Sequence, residues 1–455
     1  MSSLFLLLLF CLLAPHLAEA GLKEQVSATV LPNGLKVILL ENHKAPLITF
    51  QVWYRVGSRN EDWGRTGLSH MLEHMMFKGT QKVGPEEFSR IIQENGGNDN
   101  AFTSRDYTAY FENISADRVQ VPLDLESDRM QNLMLRQRDF RTERMVVMEE
   151  RRMRTEDNPQ AYLMEQLEAT AFQISPYHWP TIGWKEDIAR FTLDDLKKYY
   201  GTYYNPVNAI LVVVGDFQKK DLLHNIEQAF GPIPKGTAPN QEMDVDPRQA
   251  GERRISVKKE AQLPFLVMSY HVPNLRHPDS YTLEVTAAIL SSGKSSRFYQ
   301  SLVRERRLVL DADAEYSLLS RDPGLLYLSA QPLPGKEVGE VERALDQEVE
   351  RLQKELVGEH ELAKAKNQLE ASFIYGQDSL FFQAMLLAQH EIAYQWEAID
   401  DYIPSIRKVT SEDVQRVARQ YLTLDNRTAG VLIPLPPKEG NLPPVGSSLK
   451  ERIVR

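Results

Sequence analysis

Residues 187–213 read DIARFTLDDLKKYYGTYYNPVNAILVV, and residues 405–431 read SIRKVTSEDVQRVARQYLTLDNRTAGV. At one constant offset Thr192 pairs with Thr410, Asp195 with Asp413, Tyr203 with Tyr421 and Asn208 with Asn426. In both stretches the Thr fits the N-cap of an amphipathic helix, and a short loop after that helix leads into an apolar strand. A shared helix–loop–strand grammar this far apart in one chain reads as an internal duplication. The fold expected from it is α+β: two homologous domains, each a mostly antiparallel sheet covered by helices.

Working outward, residues 231–251 hold Pro232, Pro234, Pro239 and Pro247 among polar residues and separate the two copies. The domains are therefore expected at 21–235 and 253–433, with a linker at 236–252 and a Pro-rich tail at 434–455. At the other end an apolar run from Leu4 to Leu13 precedes Ala18-Glu19-Ala20, an A-x-A cleavage pattern. Residues 1–20 read as a signal peptide cut after Ala20, which predicts export to a bacterial periplasm or an equivalent compartment. The run is too short to span a bilayer, so no membrane span is expected after cleavage, and retention as an uncleaved anchor is the other reading. Cys11, the single cysteine, leaves with this segment, so disulfides and thiol chemistry are excluded from the processed chain. The 455 residues carry Lys+Arg 53 against Asp+Glu 63, a formal charge of -10, which offers no basic field for a nucleic-acid backbone.

The chemistry concentrates at residues 67–80, GLSHMLEHMMFKGT. On a helix His70 and His74 stand one turn apart on one face with Glu73 beside them, so two imidazoles can hold one ion while a carboxylate reaches its water. Zinc suits that pair, and Glu73 would take the water's proton and later pass it to a leaving amine. H-x-x-E-H in a helical context is a zinc-peptidase signature; the competing reading is two surface histidines on an amphipathic helix.

Two histidines do not complete a catalytic zinc site. Residues 143–152, ERMVVMEERR, offer carboxylates: Glu143, Val146, Val147 and Glu150 share one helix face, with Glu149 about 100° away. One carboxylate could bind the metal while another, two turns earlier, steadies the ligands. The alternative is a solvated helix face on which Glu149 and Glu150 pair with Arg144 or Arg152. Residues 95–104, NGGNDNAFTS, form a glycine-rich turn running into a strand; at a sheet edge that strand could pair with an extended peptide, and in a plain hairpin it could not. His178, His271 and His390 show no ligand spacing and read as structural.

Over nearly its whole length beyond residue 20 the chain resembles the M16 (pitrilysin-like, inverzincin) zinc metallopeptidase family. The likeness is strongest to its short-chain branch, which includes mitochondrial processing peptidase and bacterial two-subunit enzymes. The resemblance implies a clam-shell half, one Zn2+ per chain held by His70, His74 and Glu150, Glu73 as catalytic base, and Glu143 as supporting carboxylate. The assignments of Glu150 as ligand and Glu143 as support follow from the family's E-R-x-V-x-x-x-E segment, matched here by 143–150. Asn100, Ala101 and Phe102 match the family's N-A-F-T strand, which binds substrate backbone.

The sequence departs from the family's L-R-x-x-x-x-L-x-Y segment, whose Arg and Tyr hold the substrate carbonyl. At 302–310 this chain reads LVRERRLVL, with Val303 at the position of the Arg and Leu310 at that of the Tyr. The expected function is a zinc endopeptidase subunit that hydrolyses unfolded peptides in a heterodimer with a metal-less M16 paralogue supplying the Arg and Tyr. The alternatives are a non-catalytic structural or interaction subunit, and a self-sufficient homodimer in which Arg304, one position out of register, substitutes for the missing arginine.

Overall fold

The computed structural model describes residues 21–240 and 245–436; the signal-peptide reading, residues 241–244 of the linker and the tail beyond 436 lie outside the described residues. The first half builds a six-stranded sheet from β1 (Val26–Val30), β2 (Lys36–Glu41), β3 (Leu47–Tyr54), β4 (Asn98–Thr103), β5 (Thr108–Ser115) and β6 (Ala209–Gly215), ordered β1-β2-β6-β3-β5-β4. The second builds a five-stranded sheet from β7 (Arg253–Glu260), β8 (Phe265–Val272), β9 (Val309–Glu315), β10 (Gly324–Pro332) and β11 (Arg427–Leu435), ordered β7-β11-β8-β10-β9. Removing β1 makes the two orders identical. In both sheets every pair is antiparallel except one, β2 with β6 and β7 with β11, and these occupy equivalent places. The expected duplication is therefore present in the strand order itself.

Seven helices matter for the argument: α1 (Leu68–Met75), α2 (Gln137–Arg151), α3 (Pro159–Ala171), α4 (Leu193–Tyr203), α5 (Asp279–Ser291), α6 (Leu380–Ala393) and α7 (Ser411–Tyr421). The four identities of the repeat sit at the two ends of α4 and α7. Thr192 accepts from the amide of Asp195 (3.2 Å) and Thr410 from that of Asp413 (3.1 Å), while each Asp accepts the Thr amide in return, a capping box in both copies. At the other end Asn208 donates to the Tyr203 carbonyl (2.9 Å) and Asn426 to the Tyr421 carbonyl (2.8 Å), closing a helix terminus that would otherwise leave carbonyls unpaired.

β6, AILVVVG, is buried at every position, which requires both faces of its sheet to be covered. On one face lie the first domain's own helices, with Leu72, Phe140, Leu196 and Phe230 in the core. The other face is covered from outside: Leu387, Ala388 and Ile392 of α6, in the second half, pack against Ile210, Val212 and Trp53. The reverse also holds, since Leu163 and Leu167 of α3, in the first half, pack on Val257, Val267 and Leu432 of the second sheet. Each half thus lends a helix to the other's open sheet face. Among the described residues no helix is long and apolar enough to cross a membrane.

Candidate metal centre

α1 is only eight residues long and has no side-chain cap at its own N-cap residue, so its stability must come from its surroundings. Glu61, six residues upstream and buried, accepts from the amides of Gly67 (2.6 Å) and Ser69 (2.7 Å) with its two oxygens. This carboxylate sits on the positive end of the helix and satisfies donors that would otherwise be orphaned. Burial pushes its pKa up to about 8, against the pull of those two amides. Gly67 takes φ 93, and a Cβ there would lie 2.7 Å from the Ile182 carbonyl, so no side chain fits where the chain enters the helix. Glu61 was not among the residues singled out from sequence. A carboxylate that caps from six residues before the N-cap lies outside the local S/T-x-x-E pattern.

The anchored helix presents His70 and His74 toward α2. Nε2 of His70 lies 3.6 Å, and Nε2 of His74 3.3 Å, from one oxygen of Glu150, Oε2. One ligand atom from each of His70, His74 and Glu150 lies within 4.8 Å of the other two. The other imidazole nitrogen of His74 faces Glu143 Oε2 at 3.3 Å, and Lys78 binds the second Glu143 oxygen at 2.8 Å. With Nδ1 engaged by Glu143, Nε2 is the nitrogen that faces Glu150, and a cation bound there would take the place of its proton. Glu150 in turn accepts Arg154 at its Oε1, 2.9 Å away, so a single oxygen is turned to the histidines. Arg154 comes from the π-helical turn Arg152–Glu156 that ends α2. Glu149 lies elsewhere, exposed and paired with Arg152 at 2.6 Å.

Electrostatics agree with this geometry. Burial, with His74 alongside, lowers the pKa of His70 to about 4 and keeps that ring neutral, the form that ligates a cation. Burial would also lower His74, yet its hydrogen bonds to Glu150 and Glu143 hold it above its ordinary value. The hydrogen bond from His74 holds Glu150 below the usual carboxylate range. Glu73 is pushed up by burial despite accepting a hydrogen bond from the Thr103 hydroxyl. A carboxylate made more basic in this way is better matched to accepting a proton near neutral pH. Thr103 also escaped the sequence reading, because its link to Glu73 exists only once β4 is laid beside α1.

Among the described residues β4 is the edge of the first sheet and bonds to β5 alone, with Asn100 opposite Phe111, Ala101 opposite Tyr110 and Phe102 opposite Ala109. Phe102 is held in place by Trp53, at 5.3 Å between ring centroids. The same strand that steadies Glu73 through Thr103 thus carries a free main-chain edge past it. In the second domain Val303 packs half-buried against the core, Leu310 lies 49% exposed on β9, and Arg304 bonds to Gln300 in its own turn at 3.3 Å. His178, His271 and His390 donate to the carbonyls of Ser175, Ala171 and Leu386, respectively, as structural histidines do.

The donor set can be tested for fit. Around a tetrahedral ion with bonds of about 2.1 Å, neighbouring donors lie about 3.4 Å apart. The separations of 3.3 and 3.6 Å between the histidine nitrogens and Glu150 match that spacing, and the three ligand atoms together lie within 4.8 Å, so closing on an ion would draw the two imidazoles nearer each other. Two imidazoles and one carboxylate are also a donor set that catalytic zinc takes, with one position left open.

Comparison with known proteins agrees on one family. A family profile described as Insulinase (Peptidase family M16) matches residues 36–184, and one described as Peptidase M16 inactive domain matches residues 190–369. The zinc protease PqqE of Helicobacter pylori is 34% identical over 92% of this chain and 94% of its own length. The zinc protease YmxG of Bacillus subtilis is 26% identical over 90% of this chain and 98% of its own. Among solved structures, a protease from Helicobacter pylori superposes with a TM-score of 0.86 at 33% identity, over 90% of this chain and 99% of that one. The periplasmic protease PqqL from Escherichia coli superposes with a TM-score of 0.74 at 17% identity, this chain spanning 48% of its length.

Proposed function

This chain belongs to the M16 peptidase family, and we propose that within it the chain is the zinc-bearing, catalytic subunit of an exported endopeptidase acting on unfolded peptides. The observation that carries the proposal is that His70 Nε2 and His74 Nε2 both face Glu150 Oε2, with the Glu73 carboxylate close enough to interact with His74 and Glu150. A zinc ion held by these three donors would supply Lewis acidity and make water a nucleophile near neutral pH.

The chain's own residues do the rest. Glu73, its basicity raised by burial and its orientation set by Thr103, removes the proton from the attacking water and returns it to the amine that leaves. Glu143 keeps His74 in the ligating tautomer, and Arg154 keeps Glu150 turned so that one oxygen faces the site. An extended peptide adds to the free edge of β4 at Asn100, Ala101 and Phe102, which brings its carbonyls past Glu73. Pairing through main chain selects for unfolded, extended substrates more than for particular side chains. Zinc protease relatives and the periplasmic neighbour support the metal and the exported location.

The half that matches the inactive-domain profile is also the half in which Val303 and Leu310 stand where an Arg and a Tyr are expected. Neither side chain can donate to a developing oxyanion, and removing one such donor typically costs roughly 100 to 1,000-fold in rate. The proposal therefore includes a metal-less M16 paralogue that closes with this chain into a chamber and contributes both donors. The test is a zinc determination and a fluorogenic-peptide assay on the purified chain, before and after addition of such a paralogue. Stoichiometric zinc with weak hydrolysis alone, rising by orders of magnitude with the partner, is the expected result. Full activity from the lone chain, lost in Arg304→Ala, would replace it with the homodimer reading, and a chain that neither binds zinc nor cleaves with any partner would be a structural subunit.

A further inference from the structure

The turn between β3 and α1 is tied down on three sides at once. Gly57 leaves no room for a side chain, since a Cβ there would lie 2.3 Å from the Ser104 carbonyl. The next two amides, of Ser58 and Arg59, donate to the carbonyls of Ser104 (3.2 Å) and Arg105 (3.0 Å), in the loop that joins β4 to β5. Glu61 then caps α1 through Gly67 and Ser69, as described above. Between these contacts Arg59 turns inward, its side chain only 3% exposed, and crosses to the second domain. There its Nε and Nη2 lie 3.1 and 2.5 Å from one oxygen of Asp322.

Asp322 is held as firmly as the residue it binds. Its amide donates to the Tyr177 hydroxyl at 3.1 Å, and that hydroxyl donates to Asp106 at 2.7 Å. The neighbouring Arg321 amide reaches the same Asp106 carboxylate at 3.1 Å. Arg59 itself lies 3.6 Å from Asp106. A buried guanidinium needs carboxylates around it, and of Asp106 and Asp322 the nearer to Arg59 is Asp322, so where the second domain puts Asp322 bears directly on the place of Arg59.

We propose that Asp322 is a positioning residue for the metal centre: through Arg59 it fixes the 57–61 turn, and with it Glu61, the ligand helix α1 and the β4–β5 loop. The domain without ligands thereby sets the geometry of the domain with them. This inference rests on the metal-site reading given above.

The experiment measures zinc affinity by competition with a chelator, together with amide hydrogen exchange across 68–75 and 98–103, in Asp322→Asn, Glu61→Gln and the double variant. Substitutions of groups that orient ligands typically cost about 10 to 100-fold in metal affinity. Each single variant is expected to fall in that range and to speed exchange in both segments. The double variant should lose less than the product of the two, because both act on one turn. Asp279→Asn is the control: Asp279 is the buried partner of Arg416 at 2.7 Å within the second domain, so its loss should lower thermal stability and leave zinc affinity unchanged. If Asp322→Asn does not fold, Arg59→Lys, which keeps the charge and loses the fork, takes its place. Unchanged affinity and exchange in the folded variant, strict additivity, or an equal effect of Asp279→Asn overturns the proposal. If the unaltered chain binds no zinc, the metal reading is what fails, and the exchange measurement still decides whether Asp322 orders α1.

Discussion

α1 and α5 occupy the same place in the two domains, each following the central strand (β3 or β8) and preceding the edge strand (β4 or β9). Their side chains have gone opposite ways. α1 keeps His70, Glu73 and His74 at the margin of the core, where His74 and Glu73 are half-buried and reachable. α5, DSYTLEVTAAILS, is buried along nearly its whole length and spends the position on packing, with Leu283, Ile289 and Leu290 in the second core. The edges diverge as well: β4 brings Thr103 to Glu73, whereas β9 exposes Leu310, Asp311 and Asp313. One scaffold thus carries the candidate metal centre in one copy and a packed core in the other, and the difference lies in a handful of side chains on otherwise equivalent elements.

The comparison can be broken most directly at Glu73. Glu73→Gln keeps the size of the side chain and removes its ability to take a proton, so hydrolysis in the assembled enzyme should drop by at least about 100-fold with zinc content unchanged. Near-normal turnover with a full complement of zinc would remove the chemical distinction between α1 and α5. Next in size is the register of α2. Glu150→Gln should lower zinc retention after dialysis by more than about tenfold, while Glu149→Gln, which loses only an exposed pair with Arg152, should leave it as it was. Equal losses would mean that the wrong carboxylate faces the histidines.

A third prediction probes the supporting copy alone. Burial pushes Glu284 of α5 up to about 7, although its oxygen accepts from Tyr402 at 2.9 Å. A carboxyl whose pKa is raised on folding contributes stability that is present below its unfolded value, near 4.5, and lost as pH rises through the folded value. Thermal stability of the metal-free chain should therefore carry a downward slope between about pH 4.5 and 7. That slope should flatten in Glu284→Gln, whose amide oxygen can still accept from Tyr402; an unaltered slope would show that Glu284 is ionised throughout.

The smallest expected effect concerns what the two copies share. Thr192→Ala and Thr410→Ala each break one capping box, and each should cost about 1 kcal/mol in a denaturant titration. A cost in one and none in the other would mean that the matching residues no longer do matching work.

The parts of this protein legible in its sequence are those written in contiguous residues. The two Thr N-caps, the apolar strands after their helices and the i,i+4 spacing of His70 and His74 each depend on neighbours within a turn or two, where backbone periodicity dictates what touches what. Helical spacing likewise put Glu143 and Glu150 on one face of α2, and the resemblance to a family chose between Glu149 and Glu150. The tertiary structure decided what no local pattern encodes: that Glu61 caps α1 from outside it, that Thr103 holds Glu73, that α3 and α6 each cover the other half's sheet, and that Arg59 crosses to Asp322. These are pairings between segments up to hundreds of positions apart. Each partner's sequence is compatible with many neighbours, and only the packing of both sheets, which must bury two faces apiece, selects among them.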